Sequence, residues 1–251
     1  MALISPRGRT ALVTGAARRV GRAIAEALAR EGADILLHYR GSREEAEGAA
    51  EALKALGVRA ALVQADLSDP SGLEAFWARA LAAAPDSRID ILINSASIFP
   101  EDTLSGFSVQ ELERSLRVNA LVPLLLSRLF AASLQSTGVI VNLVDARMSA
   151  PMRRHASYQA SKLLLADFTR LLARELAPRV RVNAVAPGLI LPPEGLGEEA
   201  RRRLEKLNLL GRWGEPQDVA RAVLFLVQND FVDGQILYVD GGGTVKECID
   251  G

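Results

Sequence analysis

The chain has 251 residues, 49% of them hydrophobic, and its 30 lysines and arginines equal its 30 aspartates and glutamates. That length suits one large α/β domain, and a zero net charge offers nothing to draw the protein onto nucleic acid. The single cysteine, Cys248, excludes an internal disulfide and fits a reducing cytoplasm, no apolar run approaches the roughly 20 residues needed to span a bilayer, and the N-terminus lacks the apolar stretch of a signal peptide.

Seven short apolar runs follow along the chain: "TALVTG" from Thr10, "DILLHY" from Asp34, "RAALVQAD" from Arg59, "DILINSAS" from Asp90, "GVIVNLV" from Gly138, "RVNAVAPG" from Arg181 and "GQILYVDGG" from Gly234. Most are apolar at consecutive positions, the pattern of strands covered on both faces. Helical periodicity separates them, with Val20, Ile24, Ala27 and Leu28 forming one apolar stripe and Val219, Ala222, Val223 and Leu226 another. "ARRRLEK", from Ala200, reads as a solvated helix face. Repeated strand–helix–strand units predict an α/β, Rossmann-type doubly wound fold. The expectation is a seven-stranded parallel sheet with helices on both faces, in one domain spanning residues 1–251. Residues 187–200 are the least regular and begin a candidate substrate loop at 187–210, whose Leu189, Ile190 and Leu191 are expected to form an apolar wall. No metal site is expected.

"TGAARRVGRAIAEAL" follows the first strand and opens the first helix. Gly15 and Gly21 allow a tight turn and close approach to a pyrophosphate, whose charge favours a helix N-terminus. Val20 lies between them in the same turn. The second strand ends in Tyr39 and Arg40, followed by Gly41 and Ser42, where an NAD-selective protein would carry an acidic residue. A guanidinium and a hydroxyl suit a 2′-phosphate instead, so the expected cofactor is NADPH. Further on, Tyr158 and Lys162 stand four residues apart and so share one helix face. A phenol with a pKa of about 10 is too weak an acid for neutral pH unless a neighbouring ammonium helps it.

In order and spacing, "TGAARRVG", "ADL" at Ala65, Asp66 and Leu67, "NSAS" from Asn94, Asn119, "YQASK" and "VNAVAPG" resemble the short-chain dehydrogenase/reductase family over essentially the whole chain. The resemblance implies that Tyr158 is the general acid, that Lys162 binds the nicotinamide ribose and lowers the tyrosine pKa, and that Asn119 orders a proton-relay water. It also implies that Asp66 and Leu67 lie at the adenine, Asn94 and Ala96 along the cofactor, and Pro187 and Gly188 beside the nicotinamide. A homotetramer built through helices near residues 121–134 and 157–173 is implied as well.

Three departures resemble the pteridine reductases, which reduce biopterin, dihydropterins and folates with NADPH. Arg19 replaces the middle glycine, "NSAS" with Ile98 and Phe99 replaces "NNAG", and Asp145 stands thirteen residues before Tyr158 in place of the expected serine. That subgroup implies that a pterin ring stacks on Phe99, that Arg19 lies near cofactor phosphate and substrate, and that Ser97 and Asp145 border the substrate.

The chemistry of Asp145 supports the narrower reading. Carbonyl reduction gathers negative charge on oxygen, which a serine hydroxyl stabilises and an ionised carboxylate repels. Reduction of a ring C=N instead needs a proton at nitrogen, and pterins offer N–H and amino donors to a carboxylate. Beside Tyr158, Asp145 would also disfavour the phenolate, opposing Lys162. The expected activity is therefore pterin or folate reduction by a cytoplasmic enzyme. The alternatives are a 3-oxoacyl thioester or other carbonyl reductase, and a non-catalytic NADPH-binding protein. The tail "GGGTVKECIDG" is expected either to cross a neighbouring subunit's site or to hang free.

Overall fold

The computed structural model describes residues 5–148, 153–192 and 195–250. The chain runs through β1 (Thr10–Val13), α1 (Arg19–Arg30), β2 (Asp34–Tyr39), α2 (Arg43–Lys54), β3 (Ala60–Gln64), α3 (Leu73–Ala83) and β4 (Ile91–Asn94). It continues through α4 (Val109–Leu116), α5 (Val122–Ser133), β5 (Gly138–Leu143), α6 (Ala156–Leu176) and β6 (Val180–Pro187). It ends in α7 (Glu198–Glu205), α8 (Pro216–Gln228), β7 (Ile236–Val239) and α9 (Gly243–Asp250). Among the described residues, seven strands form one sheet in the order β3-β2-β1-β4-β5-β6-β7, and all its pairings are parallel.

The consecutive apolar residues of the strands feed two separate cores. Ala11, Val13, Ile35, Leu37, Ile91, Ile93, Val139 and Val141 pack on α1, α2 and α8, where Ile24, Leu28, Val219, Val223 and Leu226 meet them. The alternate residues Leu12, Leu36, Leu92, Ile140 and Val182 face α3, α5 and α6 through Phe76, Trp77, Leu126, Phe130 and Leu172. Strand side chains alternate across the pleat, so both faces must be covered, as the run-on hydrophobicity implied. Each fully buried leucine or isoleucine contributes roughly 1.5–3 kcal/mol, which makes the sheet a stiff base for the loops at its edge. The face expected to be solvated is so: α7 buries none of its residues.

Two expectations need correction. The run Val109–Ser133 is one continuous helical stretch of 25 residues, long and apolar enough by length and composition to cross a bilayer. Half of its most apolar 18-residue stretch is buried in the protein, and Leu126 and Phe130 serve the second core, so its apolar character has a packing cause. The tail does not hang free. It forms α9, whose first amides are held by Asp240, with Oδ2 accepting from the Thr244 amide and hydroxyl at 2.8 Å each.

Candidate active site

The carboxyl ends of β1, β2, β4, β5 and β6 open onto one edge of the sheet because the strands all run the same way. Between β1 and β4 the chain order reverses, and the connections leave to opposite faces. That divergence opens a crevice at the strand ends.

The turn from β1 to α1 is built on backbone contacts. Gly15 has φ +66, and a Cβ there would lie 3.0 Å from the Ala96 Cα. A Cβ on Gly21 would lie 2.3 Å from the Gly15 carbonyl oxygen, so only glycine fits. Arg19 also sits at positive φ, 55°, and accepts the penalty of about 1–2 kcal/mol that a side chain meets there. Arg18 and Arg19 are both exposed, and Arg18 pairs with Glu45 at 3.4 Å. The first turn of α1 holds no acidic residue, and no side chain among the described residues caps it, so its amides suit an anion.

His38 ties this turn to its neighbours. Its Nδ1 accepts the Gly15 amide at 3.0 Å, so Nε2 carries the proton and donates to the Ala65 carbonyl at 3.2 Å. Burial pulls its pKa down to about 4, keeping the ring neutral near pH 7. A lone histidine in a strand carries no sequence signal of such a role.

A cleft of about 420 Å³ lies beside the turn. Gly15, Tyr39, Arg40, Ser42, Asp66, Leu67, Ala96, Ser97 and Ile98 line it, with Arg18 and Val118 as members that the sequence patterns did not mark. Asp66 is exposed, and its carboxyl is held below the usual range by hydrogen bonds from Ser68. Three candidates lie behind this surface. Val20 and Gly21 support α1, and the Asn94 side chain is buried, donating to Asn142 Oδ1 at 2.8 Å. Asn94 therefore braces β4 against β5 with its side chain, which departs from its expected place along a cofactor. Its own Oδ1 has no partner among the described residues.

The second half of the site gathers β5, α4, α5 and α6. Tyr158 donates to Asp145 Oδ2 at 2.8 Å, while Asp145 Oδ1 accepts the Arg147 amide at 2.8 Å. Lys162 is buried, donates to the Leu143 carbonyl at 2.7 Å and stands 5.6 Å from the centre of the Tyr158 ring. Burial, then the Asp145 charge and its hydrogen bond, push the Tyr158 phenol well above its usual value. The resemblance implied the reverse, a phenol acidified by Lys162. Here desolvation and the adjacent carboxylate dominate, and burial brings Lys162 itself down to about 8.

Asn119 sits in a π-helical turn, Arg117–Leu121, between α4 and α5. Its Oδ1 accepts the Ile98 amide at 2.9 Å and the Ser97 hydroxyl at 3.1 Å, and its Nδ2 donates to the Ile98 carbonyl and to Ser161 Oγ, each at 3.0 Å. All four hydrogen-bonding positions of the amide are committed. The side chain therefore clamps the 97–98 loop to α6, and any proton relay at this position has to use the backbone of the π turn. Wide turns of this kind often mark functional sites.

Phe99 is 56% exposed, stacks on His155 with centroids 3.8 Å apart, and meets Tyr158 edge-on at 4.5 Å. Pro187 ends β6 and Gly188 follows it. A Cβ on Gly188 would come within 2.7 Å of Asp240. Of the expected apolar wall, Leu189 and Ile190 line an adjoining cavity of about 460 Å³, while Ile190 also packs into the first core and Leu191 lies partly buried against it. Residues 193–194 of the candidate loop lie outside those described. No cluster of three or more His, Cys, Asp or Glu able to hold a metal occurs among the described residues.

Residues 15–244 match the protein family described as Enoyl-(Acyl carrier protein) reductase. The chain belongs to the short-chain dehydrogenase/reductase family. It is an oxidoreductase of that family. FolM alternative dihydrofolate reductase 1 from Brucella canis, solved with NADP, superposes with a TM-score of 0.89 at 33% identity, covering 96% of each chain. The angucycline C-6 ketoreductase LanV, solved with NADP, superposes with a TM-score of 0.90 at 30% identity, covering 96% of this chain and 97% of that one. A 3-oxoacyl-[acyl-carrier-protein] reductase, FabG, from Staphylococcus aureus is 32% identical over 247 residues, 93% of this chain and 97% of the relative.

Proposed function

We propose that the protein is an NADPH-dependent reductase of pterins or folates. The observation that carries this reading is the carboxylate of Asp145 at 2.8 Å from the Tyr158 hydroxyl. NADP dependence agrees with the glycine-only turn, the uncapped N-terminus of α1, and the Arg18, Arg40 and Ser42 side of the cleft. When bound, the cofactor supplies a hydride. Tyr158 presents its phenol proton to the ring nitrogen next to the reduced carbon, and Asp145 accepts an N–H or amino group of the same ring. A tyrosinate beside Asp145 would be a second anion in a buried site, so Tyr158 gives its proton in concert with its replacement by one from solvent, which supplies the net proton of the reduction. Lys162 holds the ribose on the nicotinamide side, Phe99 covers the far ring face, and Ser97 and Arg19 border the substrate. Asp66, Leu67 and Ala96 border the adenosine half, Asn94 braces the sheet behind them, and Pro187 and Gly188 stand at the nicotinamide. Residues 187–210 form the substrate loop, and the working form is a cytoplasmic homotetramer.

The FolM relative supports this assignment, and the ketoreductase and FabG relatives support a carbonyl reductase instead. Asp145→Ala and Asp145→Ser separate the two readings, assayed with dihydropterins, dihydrofolate and an acetoacetyl thioester. For a pterin reductase, Asp145→Ala loses about 10²-fold or more in turnover and still binds NADPH normally. Undiminished pterin turnover in Asp145→Ala, or thioester reduction by the unaltered protein without any pterin activity, would falsify the assignment.

A further inference from the structure

His155 is a histidine in a place where a histidine is costly. It precedes the first residue of α6 with φ +62, the left-handed region that side chains other than glycine enter at a penalty. Two bonds hold it there. Its amide donates to the Asp102 carbonyl at 2.7 Å, and its Nδ1 lies 2.7 Å from the Pro100 carbonyl. A carbonyl oxygen can only accept, so Nδ1 carries the proton and the ring's orientation is set. The surrounding segment is stitched in the same way. The Asp102 carboxylate takes the Ser157 amide at 3.2 Å and the Ser157 hydroxyl, and Arg154 pairs with Glu101 at 2.6 Å.

All of this fixes one imidazole flat against one phenyl. The His155 and Phe99 rings lie 18° from parallel, and Phe99 nevertheless stays more than half exposed. Burial of Phe99 is thus not what the arrangement achieves. An exposed phenyl on a single methylene would otherwise be free to reorient about χ1 and χ2. Held by the imidazole against one face and in a T-shaped contact with the Tyr158 ring, centroids 4.5 Å apart, it offers the cleft a surface of constant orientation.

We propose that His155 is the positioning residue of a ring-stacking platform: it backs Phe99 so that the phenyl presents a fixed face to a planar fused-ring substrate, favouring such substrates over small aliphatic carbonyls. His155, three residues before the proton donor Tyr158, does not touch the substrate and acts through Phe99. The inference rests on the reading that a flat ring lies against Phe99, and it deepens that reading by naming planarity as the property selected.

The test compares His155→Ala, His155→Gln and His155→Phe with Phe99→Ala. Glutamine keeps a donor for Pro100 without a ring, and phenylalanine keeps a ring without the donor. Substrates are dihydropterins, a fused-ring aromatic ketone and a small aliphatic keto ester. Loss of one aromatic stack corresponds to about a 5- to 10-fold change. His155→Ala and His155→Gln should therefore raise KM about 5- to 10-fold for the flat substrates, with kcat within about twofold and NADPH affinity unchanged. His155→Phe should restore most of the loss, and KM for the keto ester should not move. A uniform fall in kcat on every substrate with a lower Tm would mark a structural role and overturn the proposal. So would a Phe99→Ala defect that neither His155→Ala nor His155→Gln shares, which would leave pterin reduction standing. Should the unaltered protein reduce only the fused-ring ketone, with the same response to His155→Ala, the platform holds and the pterin assignment fails. A preference of the unaltered protein for the keto ester overturns both.

Discussion

Lys162 is the residue for which burial and function conflict most. Its ammonium is buried with the Leu143 carbonyl as a direct partner, and that environment lowers its pKa from 10.5 to about 8. The sign follows from proton counting. Between about pH 8 and 10.5 the unfolded chain holds a proton on this lysine that the folded protein has lost, so stability rises with pH across that window and is lost as pH falls through 8. The full span amounts to about 3 kcal/mol. Tyr158 titrates in the opposite sense, its contribution fading above its unfolded value near 10. Lys162→Met should therefore lack the rise seen in the unaltered protein between about pH 8 and pH 10. Urea denaturation at the two ends of that range reads it directly; parallel curves for both proteins would mean that burial does not set this pKa. The residue-scale lesson about Tyr158 and Lys162 is mixed. Their spacing placed them side by side, and Asp145 acts against Lys162 as its chemistry implied, yet a spacing carries no information on dielectric, and burial is the largest cause of the raised phenol.

The β1–α1 turn shows the same split one level up. Gly15 and Gly21 were legible because their requirement is local: one needs a positive φ, and the other has no room for a Cβ. The acceptor that holds the turn comes from β2. His38 reaches back 23 residues to the Gly15 amide and also spans to Ala65, and its pKa of about 4 makes it an acid-sensitive joint. Its contribution is present above pH 6.5 and is lost as pH falls through 4, about 3 kcal/mol in all. His38→Leu should abolish that acid limb. It should also lower stability at neutral pH by about 1–3 kcal/mol, since it leaves the Gly15 donor and the Ala65 acceptor without this partner. Thermal denaturation across pH 4 to 7 tests both parts, and a variant as stable as the parent at neutral pH with an unchanged acid limb would show that His38 is only packing. Asn119 belongs here too. Its position in the chain was legible, whereas its role as a four-bond clamp depends on a π turn that no periodicity announces.

At the scale of the whole molecule, the sheet order brings five strand ends into one edge, and the long helices leave apolar side chains uncovered. Leu163 and Leu171 on α6 and Leu121 on the π turn are 45%, 61% and 39% exposed. The proposed homotetramer would cover residues of this region, and the tests are direct. Leu163→Lys with Leu171→Lys should shift sedimentation from a four-chain species to a smaller one, while the secondary structure by circular dichroism stays unchanged. An unaltered protein that sediments as a single chain would dismiss the tetramer.

The chain's own order of residues determined the strands, their parallel arrangement, the nucleotide turn and the pairing of Tyr158 with Lys162. Each of these follows from the period of apolar residues or from a local backbone requirement. Tertiary structure alone decided what those residues experience. It committed every hydrogen bond of Asn119, buried the Asn94 side chain against Asn142 and packed Leu191 against the core. It also buried Lys162, raised the phenol of Tyr158 and set His155 behind Phe99. Burial, charge proximity and ring contact arise between segments as far apart as residues 99 and 155, and their energies depend on distances that only the folded chain sets.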